Sequence, residues 1–355
     1  MPSDAIVLAN GAYDSAHGKV AHGLVRGSDR FRIHAVVDPA SAGRDAGEIL
    51  NGEKRGIPVV RSIPEALDAC AAPPAWAIVG IAPHGGRFTD ELRKAALGAL
   101  HSKMNLVSGL HDWAGDDPDL VAAAEDNGVE IIDLRKPPPI HRLHFWSGEV
   151  RQLSAPRVAV LGLDCAIGKR TTTRLLTRGL RERGRRAEMI YTGQTGWLQG
   201  SRFGFVLDAT PNDYVSGELE HAILQCAREA DPEVMLLEGQ SALRNPSGPC
   251  GAEFLLSGGA DSVVLQTDPE REYFEGMAEA GYRLPKVSDE IALIEAYGAR
   301  TIAVTLRGDP DTPAVARAQE QLSRELDIPV LCPLHDPLDP ILDAIEQRVR
   351  RGADS

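Results

Sequence analysis

Residues 157–173, RVAVLGLDCAIGKRTTT, set the frame for the whole chain. RVAVL is a short apolar run rich in β-branched residues, the pattern of a buried strand. It leads directly into a loop bounded by Gly162 and Gly168, and Lys169 opens the segment that follows. A strand, a glycine-bounded loop and a helix with lysine at its entrance are the parts of a phosphate cradle. Successive backbone N–H groups of such a loop point at phosphate oxygens, and the helix N-terminus adds its partial positive charge. The expected cofactor-binding residues are Gly162, Asp164, Cys165, Ala166, Ile167, Gly168, Lys169, Arg170, Thr171 and Thr172, with Lys169 as a point charge for a terminal phosphate or diphosphate.

The loop departs from the common pattern in two ways. Five residues separate Gly162 from Gly168, and Arg170 stands where a magnesium-binding Ser or Thr would follow the lysine. The longer form with an internal aspartate, GxDxxxGK, resembles the loop of dethiobiotin synthetase and its relatives, which consume a nucleoside triphosphate. The displaced hydroxyl argues against magnesium binding, and hence against phosphoryl transfer.

Outward from this loop, strand-like and helix-like segments alternate in both directions. Before it, apolar runs at 5–9, 31–37, 57–60, 76–81, 105–108 and 130–133 read as strands, with helical stretches around 20–26, 64–70 and 89–100. After it, strands are expected at 187–192, 233–237, 261–266, 301–306 and 329–331, with helices near 218–230, 287–297, 312–326 and 337–350. Such alternation predicts α/β architecture with doubly wound parallel sheets. KPPP at 136–139 can continue neither a helix nor a central strand, because proline lacks the N–H donor. The expected division is a first domain over 1–136, a linker over 137–156 and a second domain over 157–355.

Composition narrows the function classes. The net charge is −13, the opposite of a nucleic-acid-binding footprint, and the basic run at 169–186 reads as one helix face with its following turn. No apolar stretch approaches the ~20 residues of a membrane span. The start, MPSDAIVLANGAYD, lacks the charged and apolar regions of a signal peptide, so a cytoplasmic protein is expected. Five cysteines without CxxC spacing argue against a disulfide framework or structural zinc, and no metal is expected. The first-domain loop NGAYDSAHGKVAHG contains no GxGxxG, which leaves Asp38, at the end of the second strand, without the partner motif of a dinucleotide site.

Further candidates follow strands of the second domain, where α/β sheets place ligand-contacting loops. TGQTG at 192–196 offers Gln194 and Thr195 for hydrogen bonds, or is a plain turn. LLEGQ at 236–240 ends a buried strand with Glu238, which either holds a metal-bound water, accepts a proton or caps the next segment; Gln240 follows it. Asp208 and Asp213, in LDATPNDY, lie in a segment rich in turn residues, where aspartate serves function or turn geometry equally well. Arg244 either clamps a substrate carboxylate bidentately or is a solvated surface side chain.

Together YDSAHGKVAHGLVR, GLDCAIGKRTTT, TGQTGW, LDATPNDYVSGELE and LLEGQSAL resemble one family of two-domain proteins, the D-glutamate N-acetyltransferases of the DgcN type. The resemblance covers nearly the whole chain and is densest from Gly162 to Gln240. It implies a Rossmann-like N-terminal domain joined to a P-loop NTPase-like C-terminal domain. It also implies acetyl transfer from acetyl-CoA to the amine of D-glutamate, in D-amino-acid catabolism. CoA phosphates need no magnesium on the loop, so Arg170 ceases to be anomalous. Glu238 or Asp213 would take the amine proton, and an arginine would hold one substrate carboxylate. The partners expected are a small-molecule amino acid and further copies of the chain, with neither nucleic acid nor membrane. Two other readings stand beside it: an ATP- and Mg-dependent ligase or kinase resembling dethiobiotin synthetase, and a nucleotide-regulated binding protein without chemistry.

Overall fold

The computed structural model describes residues 1–353. The chain forms two compact units. One comprises Met1–Pro138 together with Gln194–Ser201; the other comprises Pro139–Gly193 and the chain from Arg202 onward.

The first unit is built on six strands: β1 (Ser3–Leu8), β2 (Phe31–Val37), β3 (Val59–Val60), β4 (Trp76–Val79), β5 (Asn105–Ser108) and β6 (Ile131–Asp133). They lie in the order β3-β2-β1-β4-β5-β6, and every pairing is parallel. This is the Rossmann order, with its reversal between β1 and β4. The helices between the strands start where the sequence supplies caps. Thr89 accepts from the Leu92 N–H at the head of Asp90–His101, and Asp117 caps Pro118–Asn127, which Gly128 ends in the left-handed region. Asp38, at the end of β2, is fully buried, and its carboxylate accepts from the N–H groups of Gly11 and Tyr13, each at 2.8 Å. The aspartate thus holds the loop after β1 together from within.

The second unit carries seven strands: β7 (Arg157–Gly162), β8 (Ala187–Tyr191), β9 (Phe203–Gly204), β10 (Val234–Glu238), β11 (Ser262–Thr267), β12 (Arg300–Leu306) and β13 (Val330–Leu331). Their order is β13-β12-β11-β7-β10-β8-β9, again wholly parallel. A parallel sheet covered on both faces needs strands apolar on both faces. β10 and β11 are buried at every position, which is why VMLLE and SVVLQ read as continuous runs without alternation. One face packs Val158, Val160, Leu236 and Val264 against Leu176 and Leu180 of the helix Lys169–Glu182. The other packs Ala159, Leu161, Leu237 and Leu265 with Leu219 and Ile223 of the helix Asn212–Ala230. The central strand β7 therefore delivers its carboxyl end, and the loop that follows, to the middle of the sheet edge. Among the described residues no helix is long and apolar enough to cross a membrane.

Candidate functional site

The phosphate loop lies between β7 and the helix Lys169–Glu182, as its sequence predicts. Two glycines are fixed by geometry. A Cβ on Gly162 would come within 2.8 Å of Ile167 Cδ1 and 2.9 Å of the Gln266 carbonyl oxygen, and Gly168 adopts φ +110 at the helix entrance. Among the described residues the backbone N–H groups of Asp164 through Gly168 donate to no protein acceptor, which leaves them available to an anion.

Lys169 is buried and donates to two carbonyl oxygens, of Asp164 at 2.5 Å and of Ser241 at 2.7 Å. Burial pulls its pKa down to about 8, against the opposing influence of nearby acidic groups that include Asp164 and Glu238. Thr172, one turn into the helix, donates to Gln266 Oε1 at 2.6 Å, and Thr305 donates to the same oxygen at 2.7 Å. The Thr172 hydroxyl is thus engaged with the sheet, while Thr171 beside it is half-buried.

Asp164 is wholly buried, and its carboxylate accepts from three protein donors. Oδ1 accepts from Asn245 Nδ2 at 3.1 Å; Oδ2 accepts from Arg271 Nη1 and from the Glu275 N–H, each at 2.8 Å. Arg271 Nη1 also donates to the Cys165 carbonyl at 2.8 Å. The side chain of this aspartate, one of the expected cofactor-binding residues, fastens the loop to the segments around 245 and 268–284. Cys165 is half-buried, with its Sγ 3.6 Å from Ser241 Oγ.

Glu238 closes β10, the strand beside β7, and is 4% exposed. Burial pushes its pKa up to about 7; Arg170, the Thr192 and Gly193 N–H groups and Lys169 hold it from rising further. The Thr192 N–H donates to Glu238 Oε2 at 3.2 Å, and the Thr192 hydroxyl donates to the Glu238 carbonyl at 2.6 Å. Gln240 Nε2 donates to the Thr192 hydroxyl at 3.2 Å, so the loops after β8 and β10 are tied together. Lys169, from the phosphate loop, and Glu238 and Gln240, from LLEGQ, belong to one cluster at the carboxyl ends of β7, β8 and β10.

Gln194 and Thr195 start the short helix Gln194–Leu198 and belong to the first unit, where Arg135 Nη2 donates to Gln194 Oε1 at 3.0 Å. Asp208 is exposed in the turn Leu207–Ala209. Asp213, read as a loop residue, is exposed in the first turn of the helix Asn212–Ala230, where a carboxylate complements the helix N-terminus. The helix begins earlier than the apolar pattern reveals, because its first turn is polar. Arg244 donates from Nε to Glu290 Oε2 at 2.8 Å. Sequence reasoning missed Gln266 on β11, Arg271 in the segment after it and Glu290 on the helix Val287–Ala296, none of which carries a local motif.

Two family models match the chain, one on each side of residues 138–143. Residues 144–342 match the family model described as the DUF1611_C P-loop domain, and residues 39–137 match that described as the DUF1611_N Rossmann-like domain. The chain is 29% identical over 287 residues to a D-glutamate N-acetyltransferase of Tritonibacter scottomollicae, covering 78% of this chain and 83% of the relative. It is 26% identical over 272 residues to one of a Pseudoalteromonas species, covering 75% and 79%. The crystal structure of a DUF1611 family protein from Anabaena variabilis superposes with a TM-score of 0.87 at 28% identity, covering 97% of this chain and 99% of that one.

Proposed function

The chain belongs to the DUF1611 family, and from that premise we propose that it transfers an acetyl group from acetyl-CoA to the amine of D-glutamate. The observation that carries this reading is Glu238, a buried carboxylate beside the phosphate loop whose pKa is pushed up to about 7. An amine attacking a thioester must lose a proton as the C–N bond forms. A base with its pKa near the working pH is best matched to accept it.

On this reading the amine lone pair attacks the thioester carbonyl and Glu238 takes the amine proton. The C–S bond breaks, the acetyl group remains as an amide, and the proton passes to the departing thiolate. Backbone N–H groups stabilise the oxyanion. Asp213 is the second candidate base. The phosphate loop supports CoA as the acyl carrier, since its N–H groups and Lys169 suit a diphosphate, and Arg170 replaces the hydroxyl that magnesium would require. The names of the two relatives support the same acceptor. Acetylation of this kind serves the breakdown of D-amino acids.

The test is direct. The protein is incubated with D-glutamate and acetyl-CoA while free thiol is followed, with L-glutamate as the control for chirality. In parallel, ATP and magnesium are supplied and phosphate is followed. Thiol release that requires D-glutamate supports the reading; phosphate release without thiol release overturns it in favour of a ligase or kinase.

A further inference from the structure

The loop after β10 is held at both ends by the phosphate loop. Ser241 receives the Lys169 ammonium on its carbonyl oxygen at 2.7 Å, and Asn245 donates to Asp164 at 3.1 Å. Between these anchors the chain closes on itself. The Ala242 carbonyl accepts from the N–H groups of Asn245 at 3.3 Å and Cys250 at 3.0 Å. Arg244 rides on this fixed loop, between Ser241, which receives Lys169, and Asn245, which donates to Asp164.

The guanidinium is oriented from one side. Its Nε donates at 2.8 Å to Oε2 of Glu290, whose side chain is 1% exposed while that of Arg244 is 38% exposed. Glu290 sits early in the helix Val287–Ala296, where the helix N-terminus favours a carboxylate. Burying an ionised carboxylate is costly, and a guanidinium partner is what makes it tolerable. With Nε taken, the end of the guanidinium remains, and among the described residues neither Nη1 nor Nη2 carries a hydrogen bond. Two parallel N–H donors on a rigid planar group, half in solvent, match one carboxylate bidentately.

We propose that Glu290 is a positioning residue that aims the Arg244 Nη1/Nη2 fork at a carboxylate of the acyl acceptor. The inference rests on the acetyl-transfer reading for the acceptor's identity, but its geometry does not. The competing account is a plain structural staple between the loop at 240–250 and the helix at 287–296.

Steady-state kinetics of wild type, Glu290→Gln and Arg244→Lys decide between them, using D-glutamate, D-glutamine and D-isoglutamine as acceptors. Each amide lacks one of the two carboxylates. Glu290→Gln should raise KM for D-glutamate about tenfold, leaving kcat and the KM for acetyl-CoA unchanged. For the amide that lacks the clamped carboxylate the same variant should have no effect, which also reveals which carboxylate Arg244 holds. Arg244→Lys should fail to rescue, because an ammonium has no fork. An equal rise of KM for all three acceptors, or an unchanged KM for D-glutamate, overturns the proposal. Thermal stabilisation by D-glutamate is measured alongside, without acetyl-CoA. A wild type that D-glutamate stabilises, but that releases no thiol, sinks the acetyl-transfer reading alone; loss of that stabilisation in Glu290→Gln then keeps the clamp. If D-glutamate neither reacts with nor stabilises the wild type, both fall.

Discussion

The Lys169 ammonium donates to the carbonyl oxygen of Ser241 at 2.7 Å, across 72 positions of sequence. Ser241 adopts φ +43, a left-handed conformation that costs a serine roughly 1–2 kcal/mol. The lysine thus reads both the phosphate loop and the loop after β10. Lys169→Ala should lower kcat/KM for acetyl-CoA by at least roughly 100-fold, a loss of about 2.7 kcal/mol of transition-state stabilisation. Full retained activity would sink the phosphate-loop assignment.

In the proposed reaction Glu238 must be ionised to accept a proton and Lys169 must be protonated to hold phosphate. Their pKa values of about 7 and about 8 define the two limbs of the rate profile. A plot of log kcat/KM against pH should rise with unit slope below about 7 and fall above about 8. In Glu238→Gln the residual rate should lose the acid limb and keep the alkaline one. An unchanged acid limb would reassign the base.

Glu238 also leaves a mark on stability. Its pKa rises from 4.5 to about 7 on folding, so the folded state holds the proton more tightly than the unfolded chain. The associated stability is fully present below pH 4.5 and is lost as pH climbs through about 7, a swing of about 3 kcal/mol. Glu238→Gln removes that swing. The difference in unfolding free energy between the variant and wild type should grow towards the variant by about 3 kcal/mol from pH 4 to pH 8. Parallel stability curves in urea titrations across this range would refute the burial of the charge.

Gln266 Oε1 accepts from two hydroxyls at once, Thr172 at 2.6 Å and Thr305 at 2.7 Å. All three side chains are buried. Gln266→Leu would strand both hydroxyls, and should cost about 2–4 kcal/mol in urea unfolding. Combining it with Thr172→Val and Thr305→Val should recover part of that loss, because the stranded donors are gone.

Asp164→Asn places an amide N–H₂ among three protein donors and removes the charge that Arg271 and the Glu275 N–H face. The segment around residues 270–284 should loosen from the phosphate loop. Limited proteolysis should cut the variant faster there, and stability should fall by about 2–4 kcal/mol. Equal cleavage rates would deny the tie.

What the sequence made legible was whatever is encoded locally. The strands β7, β10 and β11 are buried on both faces, so their apolar runs could not be mistaken for surface. The phosphate loop carries its own punctuation in Gly162, Gly168 and Lys169. Arg271 and Gln266 could not be found the same way, since they meet Asp164 and Thr172 from 107 and 94 positions away. Nothing beside them in the chain records that meeting. Asp164 was legible as important, but its partners were not: Asn245, Arg271 and the Glu275 N–H reach its carboxylate from far along the chain. Asp213 was placed in a loop because Pro211 and polar residues hide the start of a helix whose apolar face begins at Val215.

The segment Gln194–Ser201 has a consequence for how the chain comes into being. It belongs to the first unit, although the residues on either side of it belong to the second. Its Trp197 lies beneath the Arg30 guanidinium at 4.1 Å and packs against Phe31, while Gln199 Nε2 donates to the carbonyls of Gly23 and Gly27. A ribosome releasing the chain from its N-terminus cannot finish the first unit when residue 138 emerges, and must wait until residue 201 is free. During that interval the ring of Phe31 and the carbonyls of Gly23 and Gly27 lack their native cover. A gene truncated at the linker would hold the chain in that unfinished condition permanently.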